Sequence, residues 1–286
     1  MEALIHERFQ KKVRNDRNLY NAYLLVHAEA LGIHLNLAEG TAGDVPAHAA
    51  QPYFIASIGK LFASVLAGIL VEKGKMSYED TINQYLDGGL LDKLHVYKGK
   101  DYTDRIKIKH LLNHTSGLQD YFEDKPKSGK RMLEVILGEP DRFWTPQEVI
   151  RWSKQHLKSH FPPGKGFHYS DTGYHLMGLV IEKITSKPFH QALHQYLFAP
   201  LGMKHSYLLQ YSQPAAESEY PVAGVYLGDT NIVHYRSLSV DYAGGGIVAT
   251  SEDLLKFMKA LVQHEIIRED TFAKMKDWAK FSIGID

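Results

Sequence analysis

The chain has 286 residues, which is enough for one large domain or for two lobes around a sizeable core. Its 44% hydrophobic and 23% charged residues are ordinary for a globular protein, and Lys+Arg equal Asp+Glu at 33 each. This balance gives no support for binding to nucleic acid or to an anionic membrane surface. The lack of cysteine excludes disulfides, thiol catalysis and cysteine-ligated metal sites.

The first quarter of the chain predicts a polar helix, a strand pair and then a strongly apolar helix. Residues 2–15 have helical character, and residues 22–40 hold two short apolar runs around Gly32, which is typical of a strand hairpin. An apolar helix is expected over 57–73. Its apolar run, 61–71, is too short to span a bilayer, so we expect this helix to be buried and we expect no transmembrane segment.

Further along, helices alternate with loops until the pattern becomes strand-like near residue 220. The stretch 118–145 is polar and predicts a loop, and Thr145, Pro146 and Glu148 have the spacing of a helix start with a capping box. Helices are predicted at 106–117, 145–157, 171–187, 188–203 and 250–262, and strands at 220–249. Strands near both ends predict one sheet-containing lobe made from both chain ends, with a helical lobe inserted between them.

The start of the apolar helix carries a serine and a lysine three residues apart, Ser57 and Lys60. Positions i and i+3 of a helix share a face, so the lysine amine can reach the serine hydroxyl. Burial and the helix dipole are expected to lower the pKa of Lys60, which makes it a base for a nucleophilic serine. The backbone N–H of Ser57 can donate to a developing oxyanion. The alternative is that Ser57 caps the helix and Lys60 extends to solvent.

A second candidate is the tripeptide Tyr169-Ser170-Asp171, which follows a turn-rich loop. A tyrosine beside a lysine ammonium can act as general base and then as general acid to the leaving group. The alternative is structural, because Ser170 or Asp171 can cap the helix that follows and Tyr169 can simply pack.

Histidine pairs and a glycine run raise the question of a cofactor. Three histidine pairs have a four-residue spacing that zinc sites use, but none has the Glu of H-E-x-x-H and no third ligand is evident. These pairs are His110/His114, His156/His160 and His190/His194. The segment AGGGIVAT, 243–250, lacks the dinucleotide-binding spacing, although its glycines allow a close backbone approach. We expect no metal ion and no organic cofactor.

Five ordered blocks resemble one known family. They are PYFIASIGKLFASVLAGILVEKG, IKIKHLLNHTSGLQDY, FPPGKGFHYSDTGYHLMGLVIEK, FAPLGMKHSY and AGGGIVATSEDLLKF. In order and spacing, over about residues 20–262, they resemble the serine hydrolases related to class C β-lactamases and low-molecular-weight penicillin-binding proteins. The resemblance implies an α+β, β-lactamase/transpeptidase-like fold, with an antiparallel sheet lobe and an inserted helical lobe at about 60–220.

The resemblance also implies roles for single residues. Ser57 resembles the acylated nucleophile, Lys60 its partner base and Tyr169 the tyrosine general base, a serine–lysine logic that is typical of these enzymes. Asp171 stands where many members have an asparagine that contacts substrate. A carboxylate there accepts hydrogen bonds only and can hold Lys60 charged, which would shift the base role to Tyr169.

A further departure concerns the third family motif, Lys- or His-x-Gly on a strand. Residues 280–286 resemble the strand before it, so we expect one β-lactamase-like domain over 1–286 whose last strands are missing. An open sheet edge is then expected to allow self-association. By family analogy an extracytoplasmic location is favoured, although the N-terminus has no signal peptide.

The expected reaction is acyl transfer from a small-molecule or peptide substrate, with a peptide, β-lactam or ester carbonyl attacked by Ser57. Two alternatives stay open: a β-lactamase or D,D-carboxypeptidase proper, and a non-catalytic member that keeps the fold as a binding or scaffold protein. Fold and motifs do not choose among the substrates.

Overall fold

The computed structural model describes residues 1–43 and 45–276. The α-helices of this part are α1 (Glu2–Arg14), α2 (Gly59–Glu72), α3 (Gly88–Leu91), α4 (Ile108–Leu112), α5 (Met132–Gly138), α6 (Pro146–His156), α7 (Asp171–Thr185), α8 (Phe189–Leu193), α9 (Tyr242–Gly245), α10 (Ser251–Val262) and α11 (Glu269–Met275). The β-strands are β1 (Asn21–Ala28), β2 (Ile33–Ala42), β3 (Val45–Pro46), β4 (Tyr53–Phe54), β5 (Val96–Tyr97), β6 (Lys100–Asp101), β7 (Tyr207–Leu208), β8 (Tyr226–Leu227), β9 (Thr230–Asn231) and β10 (Ile247–Ala249).

The strand pairs are all antiparallel, and the predicted hairpin is confirmed. β1 and β2 pair along their length, and β3 extends this sheet. Their connection ends at Gly32, whose φ of 63° lies in the left-handed region that glycine adopts without a steric penalty. The sheet of β4, β10 and β7, in that order, joins distant parts of the chain, because Val248 of β10 pairs with both Phe54 and Tyr207.

The apolar helix α2 is the centre of the main core, as its sequence predicts. Nearly every residue from Gly59 to Leu70 is buried, including Phe62 and Leu66, which have no exposed surface. Helices α7, α8, α9 and α11 pack around it. A helix that is apolar on all sides is stable only when other elements cover it completely. Because α2 is packed in this way, the residues at its N-terminus have a fixed position.

The helix starts that the sequence predicts are largely confirmed. Thr145 Oγ1 accepts a hydrogen bond from the backbone N–H of Glu148, and the Glu148 carboxylate accepts one from the backbone N–H of Thr145, so the predicted capping box begins α6. Thr250 caps α10 in the same way, by accepting from the backbone N–H of Asp253. The single helix predicted over 188–203 is instead a short α8 followed by a π-helical turn at His194–Phe198.

The loop predicted over 118–145 contains a helix that the sequence pattern did not reveal. α5 buries Met132 and Ile136 in a small cluster with Trp144. The Glu134 carboxylate accepts a hydrogen bond from the backbone N–H of Arg131, which stabilises the helix start. The helix is only seven residues long, so its apolar period is too short to stand out in a polar stretch.

The strands predicted over 220–249 are mostly absent from this described segment. Only β8, β9 and β10 are strands there, and 236–241 is a 3₁₀ turn followed by α9. At Gly244 and Gly245 the reason is tertiary: a Cβ at Gly245 would lie 3.1 Å from the carbonyl carbon of Ala56, and one at Gly244 would lie 2.8 Å from the Asp171 carboxylate. The glycines therefore bring the backbone against the start of α2 and the start of α7, where a strand partner has no room.

Two further sequence predictions concern membrane-spanning helices and the segment 280–286. No helix among the described residues combines the length and apolar character that crossing a membrane requires. The segment 280–286, predicted to be a strand with an open edge, lies outside the described residues.

Candidate active site

Ser57 lies in a tight turn that other parts of the chain hold in place. The 3₁₀ turn Ala56–Ile58 leads directly into α2, and Ser57 itself is exposed. The backbone N–H of Ile55 donates to the carbonyl of Ile247 at 3.0 Å, and Gly245 lies against Ala56. Ala56 has a φ of 47°, a conformation that costs a non-glycine residue energy and persists only where the surroundings impose it. The turn thus presents the hydroxyl of Ser57 in a fixed direction.

The Ser57 hydroxyl oxygen has two side-chain partners. Lys60 donates to it from Nζ at 3.1 Å, and Tyr169 donates from its hydroxyl at 2.7 Å. The capping alternative for Ser57 is wrong, because the residue at the N-cap of α2 is Ile58 and no side chain caps that helix. The structure therefore brings together the three residues predicted to carry the chemistry.

Lys60 is buried rather than extended to solvent, with 6% of its surface exposed. Its ammonium forms an ion pair with the Asp171 carboxylate and donates to the carbonyl oxygen of Gly244. Burial acts to lower the pKa of Lys60, but the charge and hydrogen bond of Asp171 outweigh it, and the pKa is raised above its ordinary value. The prediction that burial and the helix dipole lower the pKa of Lys60 is therefore wrong, and the Lys60 side chain is an ammonium.

The start of α7 positions Tyr169 beside Ser57 and Asp171 beside Lys60. Ser170 is the N-cap, where its hydroxyl accepts from the backbone N–H of Gly173 at 3.2 Å and donates to the carbonyl of Gln119 at 2.8 Å. The backbone N–H of Asp171 donates to the Asp120 carboxylate at 3.2 Å. Ser170 thus has the capping role that the alternative gave it, and this cap is what positions its neighbours.

Asp171 faces Lys60, and its side chain is nearly covered. Burial raises the pKa of the Asp171 carboxyl, while the neighbouring ammonium opposes that shift. A contact between Asp171 and substrate stays a prediction. The observed geometry favours a different part for it, namely holding the charge and position of Lys60.

His114 packs against Tyr169. Its ring stacks on the Tyr169 ring with centroids 4.3 Å apart, and its Nδ1 accepts the backbone N–H of Ser170 at 3.0 Å. Burial and the charge of Lys60 lower the pKa of His114 to about 4, so the imidazole is neutral. The sequence singled out this histidine only as a member of the pair His110/His114. Its contact with Tyr169 depends on a φ of 58° at His114, which spacing does not reveal.

Two further buried carboxyls lie near this ion pair, those of Asp120 and Asp241. Burial and the negative charge of Asp171 raise the pKa of each to about 7. The Asp120 Oδ2 atom has no hydrogen-bond partner among the described atoms, and the Tyr121 hydroxyl donates to Asp241 at 3.4 Å. Near neutral pH these two carboxyls are therefore partly protonated, and the charge that holds Lys60 as an ammonium is that of Asp171.

The chain is similar in sequence and fold to several known proteins. Penicillin-binding protein 4* of Bacillus subtilis strain 168 is 27% identical over 247 residues, which are 78% of this chain and 48% of that protein. The D-amino acid amidase of Ochrobactrum anthropi SV3 is 25% identical with a TM-score of 0.72, covering 96% of this chain and 74% of that one. EstCE1, a hydrolase with promiscuous acyltransferase activity, is 21% identical with a TM-score of 0.75, over 98% of this chain and 78% of its own, and shows the fold alone.

The chain spans about half the length of the curated relatives it matches. The family model described as Beta-lactamase matches residues 13–283, nearly the whole chain. The matched range includes both helix starts that build the site and the glycine segment that packs against them. The α+β fold predicted from the sequence is confirmed, and the chain belongs to the Beta-lactamase family.

Proposed function

We propose that this chain is a serine hydrolase that forms an acyl-enzyme on Ser57. One observation carries the proposal: the exposed Ser57 hydroxyl is in hydrogen-bond contact with both Lys60 and Tyr169. A nucleophile, a proton acceptor and a fixed cation within bonding distance are the parts that covalent catalysis needs. Membership of the Beta-lactamase family supports the same reaction class.

The raised pKa of Lys60 assigns the proton transfers to Tyr169. Ser57 Oγ forms a bond to the substrate carbonyl carbon while its proton passes to the phenolate form of Tyr169, and the carbonyl electrons move onto oxygen. When the tetrahedral intermediate collapses, Tyr169 returns that proton to the departing amine or alcohol. Water then attacks the acyl-enzyme by the same route, which releases the acid and restores Ser57.

Lys60 acts by its charge in this scheme. Its ammonium lies 4.8 Å from the centroid of the Tyr169 ring, within the range of a cation–π contact, and also donates to Ser57 Oγ. The backbone N–H of Ser57 is the first candidate donor to the oxyanion, because it belongs to the turn that starts α2. Asp171 keeps the cation in place and contributes no proton.

The proposed substrate is a small amide, peptide or ester. The names of a penicillin-binding protein and of a D-amino acid amidase among the similar proteins support an amide carbonyl. Two exposed apolar side chains near the nucleophile, Ile58 and Phe167, support a substrate with an apolar group beside the carbonyl. A β-lactamase or a D,D-carboxypeptidase proper would use the same residues.

Covalent labelling tests the proposal and separates the alternatives. The protein is incubated with a fluorophosphonate or with a labelled penicillin, and intact mass is measured. The proposal expects a fluorophosphonate adduct that disappears in Ser57→Ala and persists in Ser64→Ala, a serine of the same helix that contacts Tyr174 instead. A stable penicillin adduct indicates a penicillin-binding protein, and β-lactam turnover without one a β-lactamase. The absence of any adduct would indicate a non-catalytic binding protein.

The roles of Tyr169 in proton transfer and of Lys60 as a cation have their own test. Tyr169→Phe and Lys60→Ala are each expected to slow acylation by about 100-fold or more. Circular dichroism and thermal unfolding check that each variant is folded. Acylation near the wild-type rate in folded Tyr169→Phe would show that the proton is transferred elsewhere.

A further inference from the structure

A cluster of two imidazoles and one carboxylate lies outside the residues assigned to catalysis. His160 Nε2 is 2.8 Å from Asp124 Oδ2, and His168 Nε2 is 3.1 Å from Asp124 Oδ1. The two imidazole rings stack with centroids 3.5 Å apart. One nitrogen from each ring and one carboxylate oxygen lie within 4.8 Å of one another. Three metal-ligating side chains thus direct their donor atoms to one small region.

The backbone holds each of the three residues independently of these side-chain contacts. The backbone N–H of His160 donates to the carbonyl of Gly117 at 2.9 Å, that of His168 to the carbonyl of His114 at 2.9 Å, and that of Asp124 to the carbonyl of Asp120 at 3.2 Å. The donor atoms would therefore stay close together if the hydrogen bonds between the side chains were broken. A ligand set fixed in this way loses little conformational entropy when an ion binds.

The chemistry of the donors restricts the ion. Two imidazole nitrogens and one carboxylate oxygen suit Zn²⁺ and similar transition-metal ions, whereas Mg²⁺ and Ca²⁺ prefer oxygen ligands alone. His160 is the most exposed of the three, with 35% of its side chain accessible, so solvent can reach the cluster and supply a further ligand. Among the described residues this is the one group that meets the spacing of a metal site.

We propose that Asp124, His160 and His168 form a binding site for a zinc-type divalent metal ion that links the loop around Asp124 to the loop preceding Tyr169. On binding, each Nε2 presents its lone pair to the ion, so its N–H hydrogen bond to Asp124 is replaced by a bond to the metal and the ring proton moves to Nδ1. The three donor atoms settle at about 2 Å from the ion, and water completes a tetrahedral set.

The state of Asp124 is consistent with this site. Burial acts to raise the pKa of its carboxyl, but hydrogen bonds from His160 and His168 outweigh burial and hold the pKa below its usual range. Asp124 is therefore a carboxylate, the form that a cation requires. Of the three histidine pairs with a four-residue spacing, His156/His160 shares one residue with this cluster, but His156 Nδ1 is in contact with the carbonyl of Trp152.

Metal binding can be measured without reference to activity. The tag-free full chain is stripped with EDTA and exchanged into metal-free buffer. Isothermal titration with ZnCl₂ and equilibrium dialysis with elemental analysis then give affinity and stoichiometry. The proposal expects one Zn²⁺ per chain in the wild type and no comparable binding of Mg²⁺. Zn²⁺ should also raise the midpoint of thermal unfolding, because an ion that binds only the folded chain stabilises it.

Variants separate this site from the other histidines. Asp124→Asn, His160→Ala and His168→Gln are each expected to weaken Zn²⁺ binding by more than about tenfold, the lower end of what even outer-shell losses cost. His156→Ala is the matched control and should leave binding unchanged. Circular dichroism confirms that each variant is folded. His160→Ala is the safest of them, since that side chain is partly exposed.

Two results would overturn the proposal. One is wild-type protein that binds no Zn²⁺ at concentrations where nonspecific binding is already visible, which would leave the cluster as a set of hydrogen bonds. The other is loss of binding in His156→Ala with binding retained in folded His168→Gln. That result would place the metal at His156 and His160. Substitution with Co²⁺ adds an independent readout, because nitrogen and oxygen ligands give a visible absorption band that His168→Gln should change.

Discussion

Two polar clusters on neighbouring loops use a carboxylate in opposite ways. In the buried one, Asp171 holds the ammonium of Lys60 between two helix starts. In the more exposed one, Asp124 accepts hydrogen bonds from His160 and His168 between two loops. Lys60 is a permanent counter-charge for Asp171, whereas at the proposed metal site an ion would replace the hydrogen bonds between Asp124 and the two imidazoles.

Burial explains this contrast. A charge removed from water needs a permanent counter-charge, so the ion pair at Lys60 is a fixed structural element. The imidazoles of His160 and His168 are partly exposed, so their hydrogen bonds to Asp124 can exchange with solvent at little cost. Proximity of charged groups therefore does not define their role, because solvent access decides whether a cluster is permanent or exchangeable.

The largest effect is expected from Asp171→Asn. The substitution leaves the buried ammonium of Lys60 without its counter-charge, and breaking a buried pair in this way costs about 3 to 5 kcal/mol of unfolding free energy. Burial then acts unopposed on Lys60 and lowers its pKa. Urea unfolding measures the loss of stability. A loss as small as that of a surface carboxylate would show that the ion pair is not the fixed element described above.

The second prediction concerns pH and His114. Its pKa is about 4 in the folded chain and about 6.5 when unfolded, so unfolding takes up a proton between these values and stability falls as pH falls through that window. His114→Asn keeps an acceptor for Ser170 and tolerates the left-handed backbone, but it does not titrate. From pH 7 to pH 4 the wild type should lose about 2 to 3 kcal/mol relative to this variant. Parallel curves of unfolding free energy against pH would contradict the assignment of a neutral imidazole.

The third prediction tests the glycine that lies against the buried pair. A Cβ at Gly244 would lie 2.8 Å from Asp171 Oδ1, so Gly244→Ala should displace the carboxylate and cost about 1 to 3 kcal/mol. Gly88→Ala is the matched control, because a Cβ at that helical glycine meets no atom within 4 Å. Thermal unfolding of both variants gives the comparison. Equal midpoints would mean that the backbone around Gly244 relaxes freely.

The smallest effect is expected from Asp124→Asn in the presence of EDTA. The asparagine oxygen still accepts hydrogen bonds, and the imidazoles remain partly hydrated, so the loss should stay below about 1 kcal/mol. Urea unfolding under metal-free conditions measures it. A loss near that of Asp171→Asn would place the two clusters in the same class and remove the contrast.

Sequence alone predicts the parts of the site that depend on local spacing. Ser57 and Lys60 come together because they are three positions apart at a helix start, and the capping box at Thr145 and Glu148 follows from the same kind of local rule. The fold class follows from the order of five motif blocks. These features depend on residues that are close in the chain or on a long ordered pattern.

The rest depends on contacts between distant segments. The charge of Lys60 is set by Asp171, and helix position taken alone gave the opposite sign for its pKa. The convergence of His160 and His168 on Asp124 needs the paths of two irregular loops, which no periodic pattern encodes. The strands expected over 220–249 yield to packing of glycines against other helices, which overrides local preference.

The central position of β10 has a consequence for how the protein is made. Its Val248 pairs with Phe54 on one side and Tyr207 on the other, and the carbonyl of Ile247 accepts a hydrogen bond from Ile55, two residues before Ser57. The turn that contains Ser57 is therefore held in place by a segment almost two hundred positions later in the chain. Because non-local pairing is slow to form, we expect the Ser57 turn to reach its final geometry late in folding, after this segment has been synthesised.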